Sequence, residues 1–249
     1  MRRDGALLAA AEGGAPPVLR AFAFSPPGIT LGMNQVPARE LDLGRCAADG
    51  VGWALRPTGG RAIFHAQEWT YALAVPRDHP VWGGSSEDAY GRASALVLRA
   101  LVRLGVPATQ VPRRGGDAGT PGGRGSTAAP CFASTARHEL VVGECKLVGS
   151  AQRRTARAYL QQGSILLGDG HLRIADYLSL AADARERVRE ALRRAAGTAA
   201  PWLGSTPPLE RFADALQAEI GPRSTRVDGA SGAFLLTVSG TGSYTAPVP

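Results

Sequence analysis

The chain has 249 residues, 44 % apolar and 20 % charged, which is enough to bury a core and fits a globular protein. Lys+Arg outnumber Asp+Glu by 28 to 21, a formal net charge of +7 that suits an acidic partner. No apolar run is long enough to span a membrane, three cysteines are too few and too odd for a disulfide framework, and 6 % aromatics without a basic stripe speak against nucleic acid. A reducing, cytoplasmic location is expected.

Residues 1–12 read as a short first helix, because the apolar part is too short for a signal peptide and Asp4 interrupts it. Val18–Phe24 and Ile29–Gly32 read as strands around the Ser25-Pro-Pro-Gly28 turn. Pro37–Asp49 is predicted helical, with Asp49-Gly50 as its stop. Trp53–Arg56 and Arg61–His65 then read as strands on either side of a glycine turn. Gly59 and Gly60 allow positive φ and a close approach to a ligand, and Arg56 and Arg61 place two charges beside it. An ordinary hairpin turn with two solvated arginines has the same pattern.

Trp69–Pro76 alternates as a strand, with Trp69, Tyr71, Leu73 and Val75 on one face. Ser85–Gly105 is the clearest helix, with serine caps, an acidic first turn and an apolar stripe from Ala93 to Leu104. Arg113–Ala129 is a low-complexity loop, either a lid or a tolerated insertion. His138–Gly143 and Lys146–Arg154 read as a hairpin turning at Gly143-Glu144, and Tyr159–Leu167 as a further strand. Helices at Asp183–Ala196 and Pro207–Ile220 precede strand signals at Arg223–Val227 and Ala233–Ser239. The expected class is α/β or α+β, with mixed, largely antiparallel sheets flanked by helices. One domain over residues 1–249 is expected.

Cys131 lies beside the loop and outside any apolar run, which makes it a poor core residue and a candidate nucleophile. A thiolate needs nearby positive charge, and Lys146 is the candidate. On a regular strand Lys146, Val148, Ser150 and Gln152 share one face, while Cys145 points to the other and reads as structural. A buried cysteine and a surface lysine are the plainer alternatives. The four histidines form no metal-ligand spacing with the cysteines. A Cys131–His65 pair is conceivable, although such a histidine more often frames a pocket.

Several stretches, taken in order, resemble the biotin/lipoate ligase and octanoyltransferase superfamily, most closely its cysteine-dependent octanoyl-acyl carrier protein:protein octanoyltransferases. They are Thr30-Leu-Gly32 with Gln35, Arg56-Pro-Thr-Gly-Gly-Arg61 through His65, Glu68-Trp-Thr-Tyr71, Asp78-His-Pro80, Ala89-Tyr90, Cys131-Phe132, Glu139-Leu-Val-Val142, Lys146-Leu-Val-Gly-Ser-Ala-Gln152 and Gln161-Gln-Gly-Ser164. The resemblance implies a biotin/lipoate ligase catalytic-domain fold, like class II synthetase cores. It implies Cys131 as the acyl-thioester residue and Lys146 as the lysine that lowers its pKa. It implies substrate binding by Arg56, Thr58, Gly59, Gly60, Arg61, His65, Gly149 and Ser150. No metal or cofactor is implied. The donor would be octanoyl-acyl carrier protein and the acceptor a lipoyl-domain lysine, as on the glycine cleavage H protein. A monomer is expected.

The sequence departs from the pattern at Ala66, where an Asp is common, at Gln162, where a His is common, and at Cys145 before Lys146. Beyond about residue 196 the match is poor, a C-terminal extension of a helix and weak strands. Three other activities fit the same framework less well: an ATP-dependent lipoate–protein ligase, an octanoyl amidotransferase between lipoyl domains, and a non-catalytic binding module.

Overall fold

The computed structural model describes residues 1–111, 139–204, 206–222, 224–228 and 233–238; the loop 113–129 and Cys131 lie outside them. In chain order the elements are α1 (Arg2–Glu12), β1 (Val18–Phe22), β2 (Gly28–Leu31), α2 (Pro37–Glu40), α3 (Leu43–Ala48), β3 (Gly52–Leu55), β4 (Ile63–His65), β5 (Glu68–Pro76), α4 (Ser86–Arg103) and β6 (Ala108–Gln110). There follow β7 (Leu140–Val142), β8 (Cys145–Arg154), β9 (Ala158–Leu166), a 3-10 helix at Asp169–Arg173, α5 (Ile174–Tyr177), α6 (Ala182–Ala195), α7 (Ala200–Leu203), α8 (Leu209–Ile220), β10 (Ser224–Asp228) and β11 (Phe234–Val238).

β5 and β9 are buried at every position, so they form the centre of an antiparallel sheet ordered β10-β11-β1-β5-β9-β8-β7-β6. Alternation along β5 sorts its two faces as the pattern predicts. Trp69, Tyr71, Leu73 and Val75 join the core under α4 and α8, where Trp69 stacks on Phe212 at 5.1 Å. Ala72 and Ala74 face α1 instead, packed with Leu8, Ala11 and Leu160. Ser85 caps α4 by accepting from the Asp88 N–H, and Leu96, Val97, Ala100 and Leu101 form its buried stripe.

A second sheet, β3-β2-β4, lies apart from the first. β3 pairs with β2 in parallel and β4 pairs with β2 antiparallel, so the glycine turn does not close a hairpin. It carries the chain across β2, which is already in place between its neighbours. Ile29, Leu31 and Phe64 on one side of this sheet pack with Tyr177, Leu178 and Leu192. The helix expected over 37–49 is broken. Leu41 adopts extended geometry and bridges Leu178, and Asp42 caps a new helix by accepting from the Arg45 N–H. The C-terminal strand signals are realised as β10 and β11, which extend the large sheet beyond β1. Among the described residues no helix is long and apolar enough to cross a membrane.

Gly163 sits in register between Tyr71 on β5 and Ser150 on β8. A Cβ there would lie 2.4 Å from Tyr71 Cε1 and 2.6 Å from Ser150 Oγ. Gly163→Ala should therefore destabilise by about 2 kcal/mol through overpacking. Gly5→Ala on α1, where nothing lies within 4 Å, should stabilise by roughly 0.5–1 kcal/mol. Thermal midpoints of the two variants against the parent test the contrast.

Candidate active site

Between the two sheets lies a small cavity, partly open to solvent. Its floor is built from small residues of the large sheet. Thr70, Ser164 and Gly149 form one cross-strand row, and Gln162 and Ala151 belong to the next. Thr30, Ile63 and His65 of the small sheet form the opposite wall, and Arg56, Thr58 and Met1 complete it. The room exists because glycine, alanine, serine and threonine stand where strands usually carry large side chains.

The turn that closes the cavity is folded around Arg56. This side chain is 6 % exposed, so it is not the solvated arginine of an ordinary turn. Its Nε donates to Gly59 O at 3.1 Å, and Nη2 donates to Gly59 O and Arg61 O at 2.8 Å each. Nη1 donates to Thr30 O and Thr30 Oγ1, both at 3.2 Å. These five contacts match the five donors of a guanidinium. Gly60 has φ +91°, whereas Gly59 needs no positive φ. Gly32 permits the close approach of β2, since a Cβ there would sit 2.0 Å from Gly60 O. Gly59, Gly60 and Arg61 thus act through their backbone, wrapping Arg56, and they are absent from the cavity wall that Arg56 and Thr58 form.

A buried chain of hydrogen bonds continues from Arg56. Thr30 Oγ1 lies 2.6 Å from His65 Nε2, and His65 Nδ1 lies 2.6 Å from Glu68 Oε1. With Nδ1 protonated, the donors run in one direction: Arg56 to Thr30, Thr30 to His65, His65 to Glu68. Glu68 Oε1 also accepts from Thr70 Oγ1 at 2.6 Å and Ser164 Oγ at 3.3 Å. Phe24 stacks on the His65 ring at 3.9 Å. Both ring nitrogens are engaged, which holds the His65 ring in place against the cavity.

A second chain holds the other flank. Thr58 Oγ1 donates to Gln162 Oε1 at 2.8 Å, and Gln162 Nε2 donates to Asp4 Oδ2 at 2.7 Å. Arg20 Nη1 donates to Asp4 Oδ1 at 2.7 Å, and Asp4 is fully buried. Asp4 interrupts the basic and apolar start of α1, which was the one sequence signal that it has an internal partner; buried carboxylates are almost always paired. Neither Asp4, Gln162, Glu68 nor Thr30 was singled out from the sequence as a binding residue.

Lys146 occupies a different face of β8 from the one expected. Leu140 pairs with Val148 and Val141 with Lys146, so β8 takes two steps where β7 takes one. The extra residue is a β-bulge. Leu147 and Val148 both enter the core under α4, and Lys146 turns to the face of Gly149 and Ala151. There its ammonium pairs with Glu139, and both side chains are buried, at 4 % and 5 % exposed. Ser150 points the other way: Tyr71 OH, kept protonated by burial that pushes its pKa up, lies 2.8 Å from Ser150 Oγ. Ser150 and Gly149 both border the cavity. Cys145 directs Sγ to Arg194 O at 3.6 Å, away from Lys146. Burial, with Asp42 and Asp49 nearby, raises the Cys46 thiol pKa, the setting of an inert structural cysteine.

Arg56→Lys should lose stability almost as far as Arg56→Ala, by about 3 kcal/mol, because an ammonium cannot serve this fork of acceptors. Equal thermal midpoints for parent and Arg56→Lys would contradict the wrapped turn. Lys146→Met should cost about 3 kcal/mol by breaking the buried pair with Glu139, and Glu139→Gln added to it should recover part of that loss. A double-mutant cycle by chemical denaturation measures the coupling.

Comparison with known proteins bears on this site. The family model described as the lipoyl protein ligase A/B catalytic domain matches residues 1–221. Octanoyltransferase LipM of Moorella thermoacetica is 39 % identical over 164 residues, covering 66 % of this chain and 58 % of that protein. Octanoyltransferase LipM of Kyrpidia tusciae is 33 % identical over 228 residues, covering 88 % and 82 %. The chain thus spans little more than half the length of the Moorella relative. Among solved structures, a lipoate-protein ligase A bound with ATP superposes with TM-score 0.65 at 18 % identity, over 87 % of this chain and 76 % of that one. A bipartite lipoate protein ligase from Thermoplasma acidophilum gives 0.65 at 17 %, over 88 % and 78 %. At such identities the solved structures establish the shared fold.

Proposed function

Because the chain belongs to the lipoyl protein ligase A/B catalytic domain family, we propose that it is an octanoyltransferase working through a cysteine thioester. The observation that carries this reading is the cavity walled by the Arg56–His65 turn. Its polar wall groups bond largely to one another, so an alkyl chain enters without stripping hydrogen bonds from the protein. Support also comes from relatives named octanoyltransferase at 33–39 % identity.

In the proposed reaction the Cys131 thiolate attacks the thioester carbonyl of octanoyl-acyl carrier protein. The carrier leaves as its thiolate and Cys131 holds the octanoyl group. A lysine amine of a lipoyl domain, as on the glycine cleavage H protein, then attacks that carbonyl. An amide forms, the amine proton is lost and the Cys131 thiolate is released. One thioester replaces another in the first step, so no ATP is consumed. Lys146, on the cavity side of β8, favours the thiolate and the oxyanion electrostatically. Arg56, Thr58, His65, Gly149 and Ser150 shape the acyl site.

Intact-mass analysis after incubation with octanoyl-acyl carrier protein, without ATP, tests this. One octanoyl adduct is expected, absent from Cys131→Ala. No adduct, with acylation of the acceptor instead requiring ATP and free acid, would overturn the transferase in favour of a ligase.

A further inference from the structure

The end of the β8–β9 hairpin carries an unusual concentration of one charge. From Lys146 to Gly168 the chain contains Arg153, Arg154 and Arg157 and no Asp or Glu. The start of the segment after β5 adds Arg77, whose N–H bonds Arg157 O at 2.8 Å and whose Nη1 donates to Thr155 O and Ala156 O at 3.3 and 3.1 Å. α4 adds Arg92, which donates to Gly83 O beside the Gly84 O that Arg154 contacts at 2.7 Å.

These contacts go to backbone carbonyls, which hold the Arg77, Arg92, Arg153 and Arg154 guanidinium groups without cancelling their charge. None of the five arginines lies within ion-pair reach of a carboxylate among the described residues. Four of the five arginines of α6 differ: Arg185, Arg187, Arg189 and Arg194 each have an acidic partner. The nearby Asp88 accepts from Ser85 Oγ at 2.6 Å as part of the α4 cap. Desolvation and then the charge of Arg77 lower the pKa of Arg154, as expected of cations held together. Arg77 and Arg157 are exposed.

The cluster adjoins the cavity. Arg153 Nη1 donates to Pro57 O at 3.3 Å, on the turn that walls the acyl site, and Ala151 on the same strand lines it. Two residues of strand place Arg153 about 7 Å further out. From this juxtaposition we infer that the arginine tip of the β8–β9 hairpin is the docking surface for the acidic carrier domain that delivers the acyl chain. The inference rests on the proposed transferase activity for the identity of that partner. Fixed like charges at the rim steer an acidic carrier and orient its acyl arm toward the cavity, while an unattached thioester gains nothing from them.

The test is the Arg153→Glu/Arg157→Glu double variant, compared with the parent on two donors: octanoyl-acyl carrier protein and the uncharged thioester S-octanoyl-N-acetylcysteamine. KM for the carrier should rise at least about tenfold with kcat little changed, and the parent's KM should climb with added salt while the variant's does not. Rates with the small thioester should match the parent's. Direct binding to unacylated acyl carrier protein, measured without turnover, should weaken by a similar factor. An unchanged carrier KM and affinity, an equal loss with the small thioester, or a loss confined to the lipoyl-domain acceptor would each overturn the docking surface. Absence of acylation from both donors in the parent would instead count against the transferase, and the binding measurement still decides the docking.

Discussion

One guanidinium holds together two segments that are separate in the chain, β2 and the turn that follows β3. Arg56 leaves the end of β3, reaches the carbonyl and hydroxyl of Thr30 on β2, and gathers the carbonyls of Gly59 and Arg61 around itself. The small sheet and the turn are thereby a single rigid piece. Burying a charge is tolerable only when its donors are met, and here backbone oxygens meet them at fixed positions. The two glycines that matter follow from this packing: Gly60 takes positive φ and Gly32 admits the close contact with Gly60 O.

Two buried chains fasten that piece to the rest of the protein. Thr30, His65 and Glu68 tie it to β5 and β9, and Thr58, Gln162, Asp4 and Arg20 tie it to α1 and β1. The cavity between the sheets is therefore lined by polar atoms that mostly answer one another. Such a wall has definite shape and little appetite for hydrogen bonds, which is what an alkyl chain requires. In the proposed transferase the chemistry is a separate matter, assigned to a thiol from another part of the chain.

The solved structures sharing this fold include an ATP-bound ligase, so the fold alone does not choose between activation by ATP and transfer from a thioester. The choice rests on residue chemistry. In the proposed reaction Cys131 is a nucleophile that the adenylate route does not need, and Lys146 stands on the cavity-facing side of β8. Its pairing with Glu139 sets how much of its charge acts outward. A partnered lysine keeps its position, and the carboxylate tempers its field.

Elements whose periodicity is local were readable in the amino-acid order. The alternation of β5, the stripe and cap of α4, and the hairpin of β7 and β8 each depend on neighbours within a few residues. The motif residues Arg56, Thr58, His65, Gly149 and Ser150 were likewise recognisable, and they do border one cavity. Tertiary structure decided what depended on distant partners. Leu41 breaks a helix because Leu178 bridges it, and the glycine turn spans β2 because β2 pairs with both of its flanking strands. Lys146 changes face because a bulge adds one residue to β8. Asp4, Glu68 and Gln162 become wall supports only when their partners are brought to them. Periodicity is written along the chain, whereas register and the pairing of buried polar groups are settled only when strands far apart in sequence come together.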